Sequence, residues 1–398
     1  MFGVWMWPES IRLRKTEAVF DGCRRAGVTD VFFLTKGLSG TTAFHTPLAP
    51  SMDPERDLLR EALEAAHRRG MRLHAWFTSA SDRHYLEKHP EAGLVHYTKG
   101  PRADIVSITD AAYADYLSAV LADLLDRYDP DGVHLDYIRY NHLICGWSGD
   151  DRRRYREAGA DLSRLDALMA RTFLGDEPDK EAIFDAYRAG DGDAVCLAKV
   201  RSDNVCRFAG ILYDVIRGSG RDPVLSVALM PEGSYRDTAF ADLHYGQRYG
   251  ELARYASLFL PMSYSRAYGK GADWVAETAA GTLRYGVKTL VGVQSYEGGT
   301  GLTLRDDLLA AEKSGAAGAC LFREGAAVWA FPGEGKISLL NPFPGPIASC
   351  RISSGEESAE IGTPLEPFTE REFAVPFRPQ AVQAFDADGR EVCVFTVR

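Results

Sequence analysis

Two acidic residues sit where buried strands would be expected to run out. Asp136 lies in DGVHLDYIRY (131–140), and Glu232 stands between Pro231 and Gly233, just past VLSVALMP (224–231). Alternate residues of a strand share a face, so Val133, Leu135 and Tyr137 point one way while His134 and Asp136 point the other. A carboxylate in an apolar interior costs several kcal/mol without partners, so Asp136 reads as a strand-end group, solvated or facing a substrate. Hydrolysis of a glycosidic bond needs two carboxyl groups flanking that bond, one ionised and one protonated near neutral pH. Asp136 is therefore expected as nucleophile or charge stabiliser and Glu232 as general acid/base. A separation of about 5 Å would imply retention of configuration and about 6.5–9.5 Å inversion; the sequence leaves both open.

The same parity surrounds this pair with groups that suit a sugar. Trp5 and Trp7 share a face of FGVWMW (2–7), and His74 and Trp76 share one of MRLHAWFT (71–78). Tyr264, Gln294, Tyr296 and Glu324 close later apolar runs, and Arg139 and His134 flank Asp136. Aromatic faces stack on pyranose rings, so these residues are expected to bind substrate. Each also has a plainer reading. The tryptophans could be core, His74 and His134 could hold the carboxylates, and Glu324 could pair with Arg323 or Arg139. Glu297, a substitute acid, falls on the wrong parity. Two other readings stay open: a glycan-binding barrel that does not cut, and a metal-dependent hydrolase using His74 and His134-x-Asp136 as ligands. No metal or other cofactor is expected, because the further histidine clusters of a metal barrel are missing.

The elements that must position these groups alternate in type. Eight apolar runs (2–7, 28–35, 71–78, 131–140, 224–231, 257–264, 289–296 and 317–324) are separated by amphipathic patterns such as 54–70, 111–129 and 199–220. Strands alternating with helices give a parallel sheet, and eight units give a closed (β/α)8 TIM barrel of α/β class. The barrel is assigned to 1–340, with a long loop at 79–110 and a helical insertion at about 141–198 in which Trp147 and Arg152–Arg154 could reach a substrate or form a solvated face. The Pro-rich NPFPGP (341–346) leads to a small β-sandwich-like domain at 345–398, with a strand at 371–377 and a hairpin about Asp388-Gly389. Such a domain either caps the barrel or binds on its own.

Composition narrows the partners. The 398 residues carry a net charge of −10 and no Lys/Arg-rich tract, unlike the concentrated positive field of a nucleic-acid binder. No run reaches the roughly 18 apolar residues of a membrane span. MFGVWMWPES lacks the features of a signal peptide, so a cytoplasmic location is expected, or a secreted one if a leader was trimmed. Seven scattered cysteines without a C-x-x-C pair read as reduced thiols. Nothing marks an oligomeric interface.

LHAWF (73–77), YDPDGVHLDYIRY (128–140), VRSDNVCRFAGILYDVIR (200–217) and LPMSY (260–264) together resemble the bacterial glycosyl-hydrolase-like family 10 barrels, a group related to the alpha-amylase type of glycosidase barrel. The resemblance spans the whole barrel, and its fourth-strand motif is the specific part. It implies a glycosidase fold acting on an oligo- or polysaccharide, with Asp136 central and a role for Arg201 and Asn204. The chain departs from the pattern at Asn141, where such proteins often carry proline. Family members are commonly exported, whereas a chain without a leader favours imported oligosaccharides.

Overall fold

The structure is a computed structural model that describes residues 1–296 and 300–397; Glu297 lies outside them. Eight parallel strands, Phe2–Met6, Asp30–Lys36, Arg72–Thr78, Gly132–Asp136, Val224–Leu229, Leu258–Pro261, Lys288–Gln294 and Gly318–Phe322, pair in sequence order, and the last closes on the first. The barrel and its α/β alternation are as the apolar rhythm predicts. Val4, Val31, Val133 and Val227 join the core under the surrounding helices. Trp5, Phe32, Trp76, Leu260 and Cys320 fill the interior.

Glycine permits one close approach inside. A Cβ on Gly132 would lie 2.0 Å from His74 Nδ1, so only glycine lets that imidazole lie across the start of the fourth strand.

Three boundaries differ from expectation, each for a local reason. The fourth strand stops at Asp136 rather than at 140, because Tyr137 turns into the left-handed region at φ 54°. The helix expected over 54–70 begins at Leu58, where Asp57 accepts from the Arg60 N–H at 3.0 Å; Pro54 precedes it. The helix expected from 199 spans Gly192–Gly218, because Asp191 caps it through the N–H groups of Asp193 and Ala194.

The insertion after the fourth strand has an apolar core of its own. Helices Gly149–Glu157, Leu162–Phe173 and Ala182–Arg188 pack Tyr155, Leu165, Met169 and Ile183 around Trp147. Trp147 is therefore core, and it donates Nε1–H to the Leu143 carbonyl at 2.9 Å. Arg152, Arg153 and Arg154 are ion-paired with Asp166 and Asp150 along the insertion's own surface.

After the eighth strand, two four-stranded sheets face each other. One runs in the order Glu370–Ala374, Lys336–Leu340, Val328–Gly333, Val394–Thr396, and the other contains Ile347–Ser354 and Ala381–Asp386. Ile337, Leu339, Ile352 and Val382 lie between them. Residues 328–340, expected with the barrel, pair with the C-terminal strands, because their alternating apolar side chains complete this sandwich. The sandwich packs on the barrel through Phe2 stacked on Phe395 (5.2 Å) and Arg25 over Phe331 (3.9 Å).

Candidate active site

A cleft of about 820 Å³ lies over the C-terminal ends of the strands, the face on which barrel enzymes carry their chemistry. Trp5, Trp7 and Trp76 line it from the first and third strands, Asp136 and Arg139 from the fourth, and Tyr264 and Tyr296 from the sixth and seventh. Phe322, not anticipated, sits among them, its ring centroid 5.5 Å from Tyr264, 5.6 Å from Tyr296 and 5.7 Å from Trp5. The parity that turned Glu324 inward would also have found Phe322. The floor is thus a continuous aromatic surface, suited to the faces of sugar rings.

Asp136 is 7% exposed and stands on the cleft wall. Its Oδ1 accepts from the Tyr137 N–H at 2.7 Å and from Arg139 Nη1 at 3.1 Å. The guanidinium in turn lies 4.7 Å over the Tyr137 ring. Tyr137 was expected against the outer helices; the left-handed turn breaks the strand's alternation and brings the ring to the cleft. Leu38 and Met52, from the loop after the second strand, also line the wall, and no periodic signal marked them.

One layer lower, the histidines serve the barrel itself. Trp5 donates Nε1–H to His134 Nε2 at 3.1 Å, and His134 Nδ1 lies 2.9 Å from Ser226 Oγ. Burial holds the His134 pKa well below the usual imidazole value, so the ring is neutral with its proton on Nδ1, facing serine. His74 Nε2 pairs with Asp30 at 3.0 Å, and neither histidine lines the cleft. Expected among the substrate contacts, both are enclosed because their positions fall one strand layer below the mouth. With both His134 nitrogens bonded, the His74/His134/Asp136 metal set does not form. No group of side chains arranged to hold a metal occurs among the described residues.

Two other expected contacts are also diverted. Glu324 is 2% exposed and accepts from Arg14 Nη2 at 2.6 and 2.7 Å and from Ser10 Oγ. Its carboxylate forms an ion pair with neither Arg323 nor Arg139, because the helix Glu9–Leu13 and the arginine after it reach it first. Arg323 instead lies 3.7 Å over the Trp7 ring. Gln294 is buried and accepts from the Ala267 N–H at 3.0 Å, holding the loop behind Tyr264.

Glu232 is 8% exposed on a single 3₁₀ turn, Pro231–Ser234. It is not the solvated turn glutamate its Pro and Gly neighbours suggest. Tyr268 donates to Oε1 at 3.1 Å, while Oε2 is enclosed without a hydrogen-bond partner. Burial raises its pKa, partly opposed by the Tyr268 hydrogen bond and the Arg139 charge. Arg139 thus pairs with Asp136 and also acts on Glu232, but Glu232 stands behind the cleft wall rather than on it.

The ends of the second and third strands are tied by a fully buried pair that sequence reasoning missed. Lys36 Nζ lies 3.1 Å from Asp82 and donates to the Ser81 carbonyl at 2.6 Å. Asp82 also caps the helix Arg83–Lys88 through the Tyr85 N–H at 2.8 Å. A lysine ending an apolar strand and an aspartate before a short helix were the available signals.

The Glycosyl hydrolase-like 10 family model matches residues 45–285, which includes the strand carrying Asp136. The chain belongs to this family. Among curated family relatives, glycosyl hydrolase DigH of Escherichia coli K12 is 26% identical over 172 residues, 37% of this chain and 39% of that protein. Glycosyl hydrolase YngK of Bacillus subtilis is 27% identical over 132 residues, 29% of this chain and 24% of that protein. The matched stretches cover less than half of each relative. In fold, the chain is similar to the glycoside hydrolase domain of PgaB (BpsB) from Bordetella bronchiseptica, with a TM-score of 0.62 at 15% identity over 80% of this chain and 93% of that one. A β-galactosidase from Halorubrum lacusprofundi gives a TM-score of 0.60 at 16% identity over 81% of this chain and 52% of that one.

The two residues singled out by the family resemblance stand outside the cleft. Arg201, fully buried, donates to the carbonyls of Cys145 (2.8 Å), His142 (3.1 Å) and His244 (2.9 Å), and it stacks on Tyr140 at 3.8 Å. Asn204 donates to the Tyr140 hydroxyl at 2.9 Å. Both hold the loop after the fourth strand, whose irregular carbonyls would otherwise be buried without donors.

Proposed function

We propose that this protein is a glycoside hydrolase that cleaves an oligo- or polysaccharide, with Asp136 as nucleophile or charge stabiliser and Glu232 as general acid/base. One observation carries the reading: a carboxylate, braced by an arginine and a backbone N–H, stands on the wall of an aromatic cleft at the catalytic face of the barrel. Aromatic faces hold the sugar and the carboxylate meets the positive charge that develops at the anomeric carbon. A proton donor needs a carboxyl kept protonated near neutral pH, and the buried Glu232, raised in pKa, is the nearby candidate. Its withdrawal behind the wall favours a second reading, a barrel that binds glycan without turnover.

The deciding test measures reducing-sugar release by the wild type and Asp136→Asn across α- and β-linked oligosaccharides, including amino sugars and uronates, with folding checked by circular dichroism. Cleavage of one class that disappears in the variant supports the hydrolase. Saturable binding of the same glycan by both proteins without cleavage supports the binding barrel.

A further inference from the structure

A second concavity, of about 490 Å³, opens beside the cleft where the two long loops meet. The hairpin of Gly93–His96 and Gly100–Val106 contributes His96, Lys99 and Arg102, and the loop after the fourth strand contributes Asn141, His142 and Cys145. The loops are pinned together by Tyr97 N–H to the Ile144 carbonyl (2.8 Å) and Gly146 N–H to the Val95 carbonyl (2.9 Å), while Arg201 grips the carbonyls beneath. The platform is therefore built before any ligand arrives.

Its polar groups are of one kind. No carboxylate is among the residues lining it, although the whole chain carries a net charge of −10. Lys99 is exposed and has no ion pair among the described residues. Arg102 commits Nε and Nη2 to Asp104 at 2.8 and 2.7 Å, so it adds donors while Lys99 supplies the uncompensated charge. His96 Nδ1 accepts from the N–H groups of Thr98 (3.1 Å) and Lys99 (3.3 Å), and His142 Nδ1 accepts from the Ile144 N–H at 3.0 Å. Each ring must then carry its proton on Nε2, a donor without need of a positive charge. Burial, together with nearby Lys99 and Arg102 for His96 and Arg201 for His142, keeps both below the usual imidazole pKa.

This concavity continues from the cleft. Tyr137 and Arg139 line both the cleft and a small cavity of about 160 Å³, and Asn141 lines both that cavity and the basic concavity. At this junction the Asn141 side-chain oxygen is enclosed without a hydrogen-bond partner among the described residues.

We propose that the concavity formed by Lys99, Arg102, His96 and His142 is a specificity subsite for a sugar bearing an anionic group, carboxylate or sulfate, in a glycan whose other end lies at Asp136. The proposal rests on the carbohydrate reading above and adds the substrate class. Because the uncompensated charge comes from Lys99, with Arg102 adding donors, and the imidazoles donate while neutral, the preference should be flat at and above neutral pH and should fall as salt screens exposed charges.

The test is calorimetric titration with matched pairs: trigalacturonate against its carboxyl-reduced neutral form, and an N-acetylglucosamine trisaccharide with and without 6-O-sulfation. The charged member of one pair should bind about tenfold more tightly at about 0.05 M salt, and that pair names the anion. Lys99→Glu, an exposed change that leaves the packing intact, should reduce the preference to within about twofold, and Lys99→Ala should fall between. Equal binding of charged and neutral members, no binding of either charged probe, or an undiminished preference in Lys99→Glu would overturn the subsite. Repeating the titration with Asp136→Asn separates the two proposals. An anion preference in a protein that turns over none of these glycans would sink the hydrolase and keep the subsite, whereas Asp136-dependent cleavage without that preference would do the reverse.

Discussion

The ends of the fourth and eighth strands pose the same problem and solve it differently. Asp136 is the last residue of its strand, Glu324 lies two past the end of its own, and each carboxylate meets an arginine. At the fourth strand the arginine comes from three residues along the same loop and approaches from one side, so Asp136 remains on the cleft wall. At the eighth, Arg14 and Ser10 arrive from the first strand's following segment and enclose Glu324 completely. Parity brings a carboxylate to the mouth of a barrel. What packs over it decides whether it meets substrate or locks two segments together.

Removing each charge should separate those roles. Asp136→Asn should lower kcat roughly 10³-fold or more with little change in unfolding free energy, as for loss of a group acting in the transition state. Glu324→Ala leaves the Arg14 guanidinium buried without its partner and should cost about 3–5 kcal/mol in urea unfolding, with KM of the surviving folded enzyme nearly unchanged. If the second variant lost turnover at full stability, the contrast between the two strand ends would collapse.

Glu232 tests the middle ground, a buried carboxyl near the cleft. Glu232→Gln should reduce kcat about 10²–10⁴-fold on substrates with poor leaving groups and far less on activated aryl glycosides; full activity on both would remove Glu232 as the acid. Its folded pKa lies above the ordinary 4.5. Burial of the protonated form therefore contributes stability below that value, and the contribution is lost as pH rises through the folded pKa. Stability of Glu232→Gln relative to wild type should accordingly increase as pH is raised from about 4.5, read from paired denaturation curves across pH.

The smallest expected effect is at the rim. Trp7→Ala removes a ring that faces the cleft and carries Arg323 on its other contacts, and should raise KM about tenfold or less, the worth of one aromatic contact, with kcat retained. A fall in kcat alone would place Trp7 with the reacting groups instead.

Much of this was legible in one dimension. Period-2 and helical apolar patterns expose strand, helix and barrel directly, because burying one face dictates where apolar side chains recur. The same alternation brought Trp5, Trp7, Trp76 and Asp136 to the interior or mouth. It failed where the backbone left the strand: Tyr137, with positive φ, swung into the cleft, and Glu324, beyond the last paired residue, was captured by Arg14. Nor does facing inward fix what a side chain meets: His74 and His134, expected to bind substrate, lie against Asp30 and Ser226 instead.

The sequence by itself determined the eightfold alternation, the inward face of each strand and the family motif around Asp136, since all three depend on neighbours close in the chain. Only the tertiary structure decided that His134 serves Trp5 and Ser226, that Lys36 clamps Asp82, that residues 328–340 join the C-terminal sheets, and that two loops far apart in sequence combine into a basic concavity beside the cleft. Those outcomes are contacts between segments tens to hundreds of residues apart. Which partner reaches a polar group first is set by packing and by the cost of burying it unpaired, and no local pattern records that.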